Sequence, residues 1–161
     1  MARVYLSLGS NVDPERHLAG ALRALRERFG ALEVSPTYRS AAVGFAGAAF
    51  LNNAAAFDCD MDRDSLRGWL RALEDASGRD RRLPRYADRT LDLDIALWCE
   101  GDRCTTDLTR EEFERAHVLA PLADLAPDLR EPFTGATMQE RRQQLEPNLP
   151  KLERLPADAV R

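Results

Sequence analysis

Two aspartates separated by one residue are the strongest candidates for chemistry in this chain. Residues 89–98 read RTLDLDIALW, and the alternation predicts a strand on which Asp92 and Asp94 project from the same face. The buried face of this strand would carry the aliphatic side chains Leu91, Leu93, Ile95 and Leu97. Two carboxylates about 6.6 to 6.8 Å apart along a strand repel each other unless a cation lies between them. Mg²⁺ suits such oxygen ligands, although so short a pattern, taken alone, favours a solvated face with Arg89 paired to an aspartate.

An arginine-rich segment leads directly into that strand. The chain between Gly78 and the aspartates carries five arginines in a short stretch: Arg79, Arg81, Arg82, Arg85 and Arg89. Lysine occurs only at Lys151, so the arginine bias of the whole chain prevents any single arginine from indicating a phosphate site. Their clustering is more informative, because five like charges in an irregular segment repel one another unless they meet anions. A polyphosphate with bound Mg²⁺ would satisfy both the arginines and the aspartates.

Three further positions carry side chains suited to a ligand. Phe50 and Asn52 share one face of a predicted strand, where an aromatic ring beside an amide could hold a flat heteroaromatic molecule. The alternative is that Phe50 belongs to the core and Asn52 hydrogen-bonds to a loop. Glu74 lies near the end of a predicted helix, where an acid is contrary to the usual preference for cations, and this suggests a functional role.

Composition excludes several classes of protein. The chain has 161 residues, 44% of them hydrophobic, and a formal net charge of −4, which favours one globular domain over 1–161 and does not suggest nucleic-acid binding. The amino-terminal apolar run is too short for a signal peptide or a membrane span. The cysteines, odd in number and without CxxC spacing, predict reduced thiols in a cytoplasmic protein rather than a zinc site; they are Cys59, Cys99 and Cys104.

The order of the predicted elements indicates the fold class. Apolar runs predict four strands, over 3–8, 32–40, 50–59 and 89–98. Amphipathic helices follow the first strand, with Asp13 as N-cap, and the third strand, with Asp62 or Asp64 as N-cap. This order is the split βαβ pattern, so we predict an α+β fold, namely a ferredoxin-like sandwich with a mainly antiparallel sheet. The helices should cover one face and leave the other for the site, with C-terminal additions and a loosely attached tail over 145–161.

With these elements in place, the sequence resembles the hydroxymethyl-dihydropterin pyrophosphokinase family from about residue 4 to residue 128. The resemblance rests on several short motifs in the family's order: LGSN at 8–11, YRS at 38–40, FLN at 50–52, Glu74 ahead of Gly78, RTLDLD at 89–94 and PLADLAP at 121–127. It implies transfer of diphosphate from ATP to the hydroxymethyl group of a dihydropterin, with AMP as the second product, in tetrahydrofolate biosynthesis. The implied partners are these two small molecules, and we expect a monomer.

The resemblance also implies a role for individual residues. Asp92 and Asp94 would hold two Mg²⁺ ions, and Arg79 and Arg89 would steady the transferring group. The nucleotide would further be bound by Glu74, Arg81, Tyr86, Ile95, Arg110 and Arg115. The pterin would be bound by Ala42, Val43, Phe50, Asn52, Asp92 and His117. For activation of the attacking hydroxyl group, our own hypothesis is either binding of the alkoxide to the metal or transfer of the proton to Asp94.

Some positions depart from the family pattern. The family's Pro-His pair after the fourth strand is missing from 108–115, where Arg110 or Arg115 is the candidate replacement. Phe50 stands where a tyrosine is usual, and His117 where a phenylalanine is usual. His117 either stacks on the pterin or is a buried histidine bonded to a backbone carbonyl. The alternatives are thus a member acting on another heterocycle, a weak nucleotide-binding pseudoenzyme, or an RNA-binding ferredoxin-like domain, although the last lacks interleaved sheet aromatics.

Overall fold

A seven-stranded sheet organises the chain in the computed structural model, which describes residues 1–41, 47–78, 82, 88 and 90–160. The strands are β1 (Ala2–Ser10), β2 (Glu33–Val34), β3 (Tyr38–Ser40), β4 (Phe50–Cys59), β5 (Asp92–Glu100), β6 (Arg103–Thr105) and β7 (Glu153–Arg154). The α-helices are α1 (Pro14–Phe29), α2 (Arg63–Ala76), α3 (Arg110–Phe113), α4 (Ala116–Leu125) and α5 (Met138–Leu145), followed by a 3₁₀ turn over Glu146–Asn148. The sheet order is β6-β5-β1-β4-β3-β7, with β2 also beside β4, and each pair is antiparallel.

This architecture confirms the predicted α+β class, and it divides one predicted strand. The run over 32–40 forms β2 and β3, with Pro36 between them, because proline has no N–H to donate to the ladder. The chain stays attached to β4 across the break. The Ser35 backbone N–H donates to the Ala54 carbonyl at 2.9 Å, and the Ser35 hydroxyl accepts from the Ala54 N–H at 2.8 Å.

Helices α1 and α2 cover one face of the sheet, as predicted. Their apolar stripes bury Leu18, Leu22 and Leu25 from α1, and Leu66 and Leu70 from α2. The N-caps differ from each other. Asp62 accepts a hydrogen bond from the Ser65 N–H at 2.8 Å, so the alternative cap Asp64 is not used. Asp13 is the N-cap of α1, as predicted, but with a left-handed φ of 46° its side chain makes no capping hydrogen bond and pairs with Arg16.

The opposite face is partly covered by the C-terminal additions, which leaves less of it open than the sequence predicted. Leu119 and Leu122 of α4 pack there with Phe113 of α3 and Met138 of α5. The residues after α5 also contribute to the sheet. Strand β7 pairs with β3, and the Leu155 N–H donates to the Thr37 carbonyl at 2.9 Å, within the segment for which we predicted loose attachment.

A bulge in β5 corrects the predicted face of Leu97. Tyr5 pairs with Leu97 and Leu6 pairs with Ile95, so Ala96 is an extra residue on β5. Beyond it the alternation reverses, and Leu97 packs on the α4 side whereas Ile95 packs on the α1 and α2 side. Asp92 and Asp94 precede the bulge.

The expectation of three reduced thiols was wrong for two of the cysteines. Cys99 and Cys104 form a disulfide, because the turn at Gly101 brings them directly opposite each other on β5 and β6, with Cα atoms 4.1 Å apart. Cys59 is free and buried.

The disulfide gives a stability prediction. Cys104→Ser should lower the free energy of unfolding by roughly 2 kcal/mol, because a small covalent loop no longer restricts the unfolded chain. For a domain of this size that corresponds to a fall in Tm of about 4 to 8 °C. Thermal unfolding followed by circular dichroism, with and without dithiothreitol, measures it. Reductant should lower the Tm of the parent protein and leave that of Cys104→Ser unchanged; equal Tm values for oxidised and reduced parent protein would contradict it.

None of the helices among the described residues combines the length and apolar character needed to cross a membrane.

Candidate functional site

A row of four residues crosses the sheet on the α4 side. Asp92, Gly9, Asn52 and Tyr38 are successive cross-strand partners on β5, β1, β4 and β3. Directly paired residues share a face of a sheet, so Asp92 and Asn52 lie on either side of Gly9. Asp94 lies two residues along β5, before the bulge, and therefore projects from the same face as Asp92. The structure thus brings together the two aspartates and Asn52, as the sequence predicted.

The absence of a side chain at Gly9 leaves room for the Asn52 amide. A Cβ added at Gly9 would lie 2.9 Å from Asn52 Oδ1 and 3.8 Å from the Phe50 ring. Asn52 is 3% exposed, and its Nδ2 donates to the Ser40 hydroxyl at 2.8 Å. Gly9 and Ser40 therefore set the position of the amide. Both residues lie inside sequence motifs, at 8–11 and 38–40, but their role follows only from the strand pairing, which shows what they touch.

Glu74 connects α2 to the strand that carries the aspartates. Its carboxylate Oε2 accepts from the Leu93 backbone N–H at 2.8 Å, and the residue is 4% exposed. Leu93 lies between Asp92 and Asp94, so this hydrogen bond fixes the peptide from which both carboxylates project. It also satisfies a donor on the strand edge, because β6 pairs with β5 only at Trp98–Glu100.

A pocket of about 290 Å³ opens along this uncovered part of β5. Its walls come from α2, β5 and the segment after β6: Arg67, Leu70, Arg71, Glu74, Asp92, Leu93, Asp94, Ile95 and Asp107. The predicted nucleotide residues Glu74 and Ile95 therefore lie in one pocket with the predicted metal ligands. Arg67 and Asp107 were missed by the sequence analysis, since they are 40 residues apart and no local pattern relates them.

Asp107 holds two arginines of α2 at the far end of the pocket. It accepts from Arg63 Nε at 2.9 Å and from Arg67 Nε at 2.8 Å, with a second bond from each guanidinium at 2.7 and 2.6 Å. Burial raises the pKa of Asp107, but the hydrogen bonds from Arg67 and Arg63 outweigh it and hold the pKa below its ordinary value. Asp107 is consequently a fixed anion between two fixed cations.

Helix α4 carries His117 in its first turn, close to the row. Burial and, to a smaller extent, the charge of Arg115 lower the pKa of His117 to about 4, against the opposing effect of the charge of Asp92. The ring is therefore neutral near pH 7 and lies close enough to Asp92 to sense its charge. Arg110 and Arg115 were the candidates to replace the missing Pro-His pair. Arg115 pairs with Glu111 at 3.5 Å, and its charge lowers the pKa of His117. Arg110 is more exposed and pairs with Glu114 at 3.4 Å.

The lowered pKa of His117 predicts how stability depends on pH. The folded value of about 4 lies below the ordinary 6.5, so the unfolded chain binds the proton more readily between these values. The contribution of neutral His117 is complete above about pH 6.5 and is lost as the pH falls toward 4. His117→Phe should therefore show a smaller fall in Tm between pH 7 and 4.5 than the parent protein.

The matched control is His17→Gln on α1, which removes the other histidine of the chain. Identical pH slopes for His117→Phe and the parent protein would contradict the burial of a neutral ring.

A buried network holds α4 against the sheet. The Tyr38 hydroxyl donates to Asp124, and Arg142 donates to the same carboxylate at 2.8 Å. Burial, together with the hydrogen bond to Asp124, raises the pKa of Tyr38. Since Tyr38 belongs to the row and Asp124 to α4, the network fixes the helix that carries His117.

Several predicted site residues lie outside the described residues: Ala42, Val43, Arg79, Arg81, Tyr86 and Arg89. These residues fall in two stretches of the chain, 42–46 and 79–89. Asn11 bonds to described residues close to each stretch. Its Nδ2 donates to the Ala48 carbonyl at 3.2 Å and to Asp88 Oδ1 at 2.8 Å.

The metal expectation rests on the aspartate pair alone. In the part of the chain that the structure describes, no group of three or more His, Cys, Asp or Glu side chains is arranged to hold a metal ion. Two half-buried carboxylates on one strand face nevertheless fit Mg²⁺, which is commonly held by one or two carboxylates together with water and substrate phosphates.

Comparison with known proteins adds independent information. Residues 5–127 match the family model 7,8-dihydro-6-hydroxymethylpterin-pyrophosphokinase (HPPK). The 2-amino-4-hydroxy-6-hydroxymethyldihydropteridine pyrophosphokinase of Pseudomonas aeruginosa is 42% identical over 140 residues, which cover 81% of this chain and 84% of that protein. The protein of the same name from Methylorubrum extorquens is 36% identical over 156 residues, covering 92% and 96%. That from Bacillus subtilis is 32% identical over 139 residues, covering 82% and 83%.

Proposed function

Because the chain belongs to the 7,8-dihydro-6-hydroxymethylpterin-pyrophosphokinase family, we propose that it transfers diphosphate from ATP to the hydroxymethyl group of 6-hydroxymethyl-7,8-dihydropterin in tetrahydrofolate biosynthesis. The observation that carries this proposal is the row in which Asp92 and Asn52 flank Gly9. A molecule held at Asn52 on this face lies beside the aspartates, and the aspartates also border the pocket that contains Glu74. Pterin and nucleotide can therefore meet at the carboxylate pair.

The proposed reaction is an in-line displacement at the β-phosphorus of ATP. The pterin hydroxyl oxygen forms a bond to the β-phosphorus, the bond from that phosphorus to the oxygen bridging the α-phosphate breaks, and AMP leaves with that oxygen. Asp94 accepts the proton of the attacking hydroxyl group. Bound at Asp92 and Asp94, two Mg²⁺ ions would neutralise charge on the phosphates. Phosphoryl-type transfer needs little covalent help, so positioning supplies much of the remaining effect.

The remaining residues bind and orient the two substrates. Asn52 reads the polar edge of the pterin ring, while Phe50 and neutral His117 contact its faces. Backbone groups of Ala42 and Val43 complete the pterin site, and Arg79 and Arg89 steady the transferring group. On the nucleotide side, the proposed contacts are Glu74, Arg81, Tyr86, Ile95, Arg110 and Arg115.

The test is to identify the nucleotide product. Incubation with ATP, Mg²⁺ and 6-hydroxymethyl-7,8-dihydropterin should give AMP and the pterin diphosphate, separated by chromatography. ADP as the product would indicate an ordinary kinase and contradict the proposal. ATP binding without turnover would indicate a pseudoenzyme. Turnover only with another hydroxymethyl heterocycle would indicate a family member with a different substrate, the alternative raised by Phe50 and His117 at positions where other residues are usual.

A further inference from the structure

The guanidinium group of Arg67 is held in one plane at the end of the pocket remote from Glu74. Three hydrogen bonds fix it: Nε to Asp107 Oδ2 at 2.8 Å, NH2 to Asp107 Oδ1 at 2.6 Å and NH1 to Asp64 Oδ1 at 2.5 Å. These bonds use three of the five N–H donors of the group and lie along its edges. Arg67 is nevertheless part of the pocket wall. A side chain held by its edges presents the flat face of its guanidinium to a ligand.

The charge of Arg67 is also largely balanced. Asp107 and Asp64 both lie within hydrogen-bond distance of it, and together they raise the pKa of the guanidinium above its ordinary value. An arginine that faces two carboxylates attracts a polyphosphate weakly. Its flat face keeps its ability to stack on an aromatic ring. The local chemistry therefore favours contact with a base over contact with a phosphate.

The layout of the pocket places the base at this end. Glu74 lies seven positions after Arg67 on α2, which is about 10 Å along the helix axis. Glu74 bonds to the peptide between the aspartates, so the phosphate end of a nucleotide lies beside Glu74 and the nucleoside extends toward Arg67. Leu70 and Ile95 supply apolar wall between the two ends.

We propose that the face of the Arg67 guanidinium stacks on the base of the bound nucleotide, and that Asp107 is the positioning residue that holds it there. This inference rests on the proposed use of ATP, and it adds the group that recognises the nucleoside end. Asp107 lies in the segment after β6 and bonds to Arg67 of α2. In this proposal the segment after β6 therefore contributes to nucleotide binding.

Dissociation constants for two probes test the proposal. ATP and inorganic tripolyphosphate, each with Mg²⁺, are titrated into the full chain by isothermal calorimetry. Arg67→Ala should weaken ATP binding roughly five- to twentyfold and leave tripolyphosphate binding unchanged, because only ATP has a base. Arg67→Lys, which keeps the charge without the plane, should behave like Arg67→Ala. Arg67→Gln, which keeps a planar group without the charge, should recover part of the affinity.

Variants of Asp107 test the positioning role. Asp107→Asn should raise KM for ATP with kcat changed less than twofold, and Asp107→Glu should restore most of the affinity by keeping the carboxylate. Asp102→Asn in the exposed β5–β6 turn and Arg23→Ala on α1 are matched controls and should match the parent protein. Far-ultraviolet circular dichroism checks that each variant is folded.

Three results would overturn the inference: unchanged ATP binding in Arg67→Ala, equal weakening of both probes, or full rescue by lysine. The proposed function fails separately. If the parent protein binds ATP without forming AMP, the proposed function is wrong, but the Arg67 contact can still hold. If the parent protein forms AMP and Arg67→Ala is indistinguishable from it, the proposed function is supported and the Arg67 contact is contradicted.

Discussion

Replacing Asp94 by asparagine should lower kcat for diphosphate transfer by at least about a thousandfold. Asparagine keeps the size of the side chain and removes the negative charge that pairs with a divalent cation, along with the proposed proton acceptor. Several kcal/mol of transition-state charge stabilisation are at stake, and each 1.4 kcal/mol changes the rate about tenfold. The measurement is the steady-state rate of AMP release at saturating ATP and pterin, over a range of Mg²⁺ concentrations.

The companion variants make the Asp94 result specific. Asp92→Asn should also lose turnover, since its carboxylate projects from the same strand face. Glu100→Gln removes an exposed acid from the end of the same strand and should keep the parent rate. Parent-like turnover of both aspartate variants at limiting Mg²⁺ would rule out the assigned role of the pair.

Gly9→Ala should raise KM for the pterin roughly ten- to hundredfold. The new methyl group would lie 2.9 Å from Asn52 Oδ1, so the buried amide must turn away from the position that Ser40 now fixes. A pterin edge that loses its amide partner forfeits about 1 to 3 kcal/mol. Binding of ATP alone should change little, because the pocket proposed for the nucleotide lies on the outer edge of β5. Pterin KM and the calorimetric ATP dissociation constant measure the two effects.

Gly20→Ala is the matched control for this substitution. An added Cβ at Gly20 on α1 meets nothing within 4 Å, and alanine is the better helix former, so the variant should keep parent kinetics and equal or higher stability. If Gly9→Ala binds the pterin as tightly as the parent protein, the close approach between β1 and Asn52 has no part in recognition.

Local periodicity was sufficient to predict much of the fold and the shared strand face of the two aspartates in the candidate site. The alternation in 89–98 placed Asp92 and Asp94 on one face because a strand has a period of two, and that rule needs no knowledge of the neighbouring strands. The order of strands and helices then gave the antiparallel sheet. Glu74 was recognised as unusual from its position near a helix end, and the structure shows the backbone N–H that it binds.

The remaining features depend on how strands pair and on contacts between different elements. The bulge at Ala96 arises from the pairing of β5 with β1, and it moved Leu97 to the other face. The Cys99–Cys104 disulfide depends on the hairpin register, since spacing alone gave no reason to pair those two of three cysteines. Asp107 meets Arg63 and Arg67 only when the segment after β6 folds back over α2.

The extra residue in β5 divides the strand into two halves of opposite side-chain phase, both of which pair with β1. Asp92 and Asp94 take their orientation from pairing with residues 7–9 of β1. After Ala96, in the half of β5 that pairs with β6, the alternation of side chains between the two faces is reversed. Changes of length or sequence beyond the bulge can therefore be absorbed without rotating the carboxylates. The segment 108–115 can therefore differ in sequence while Asp92 and Asp94 keep their face of the sheet.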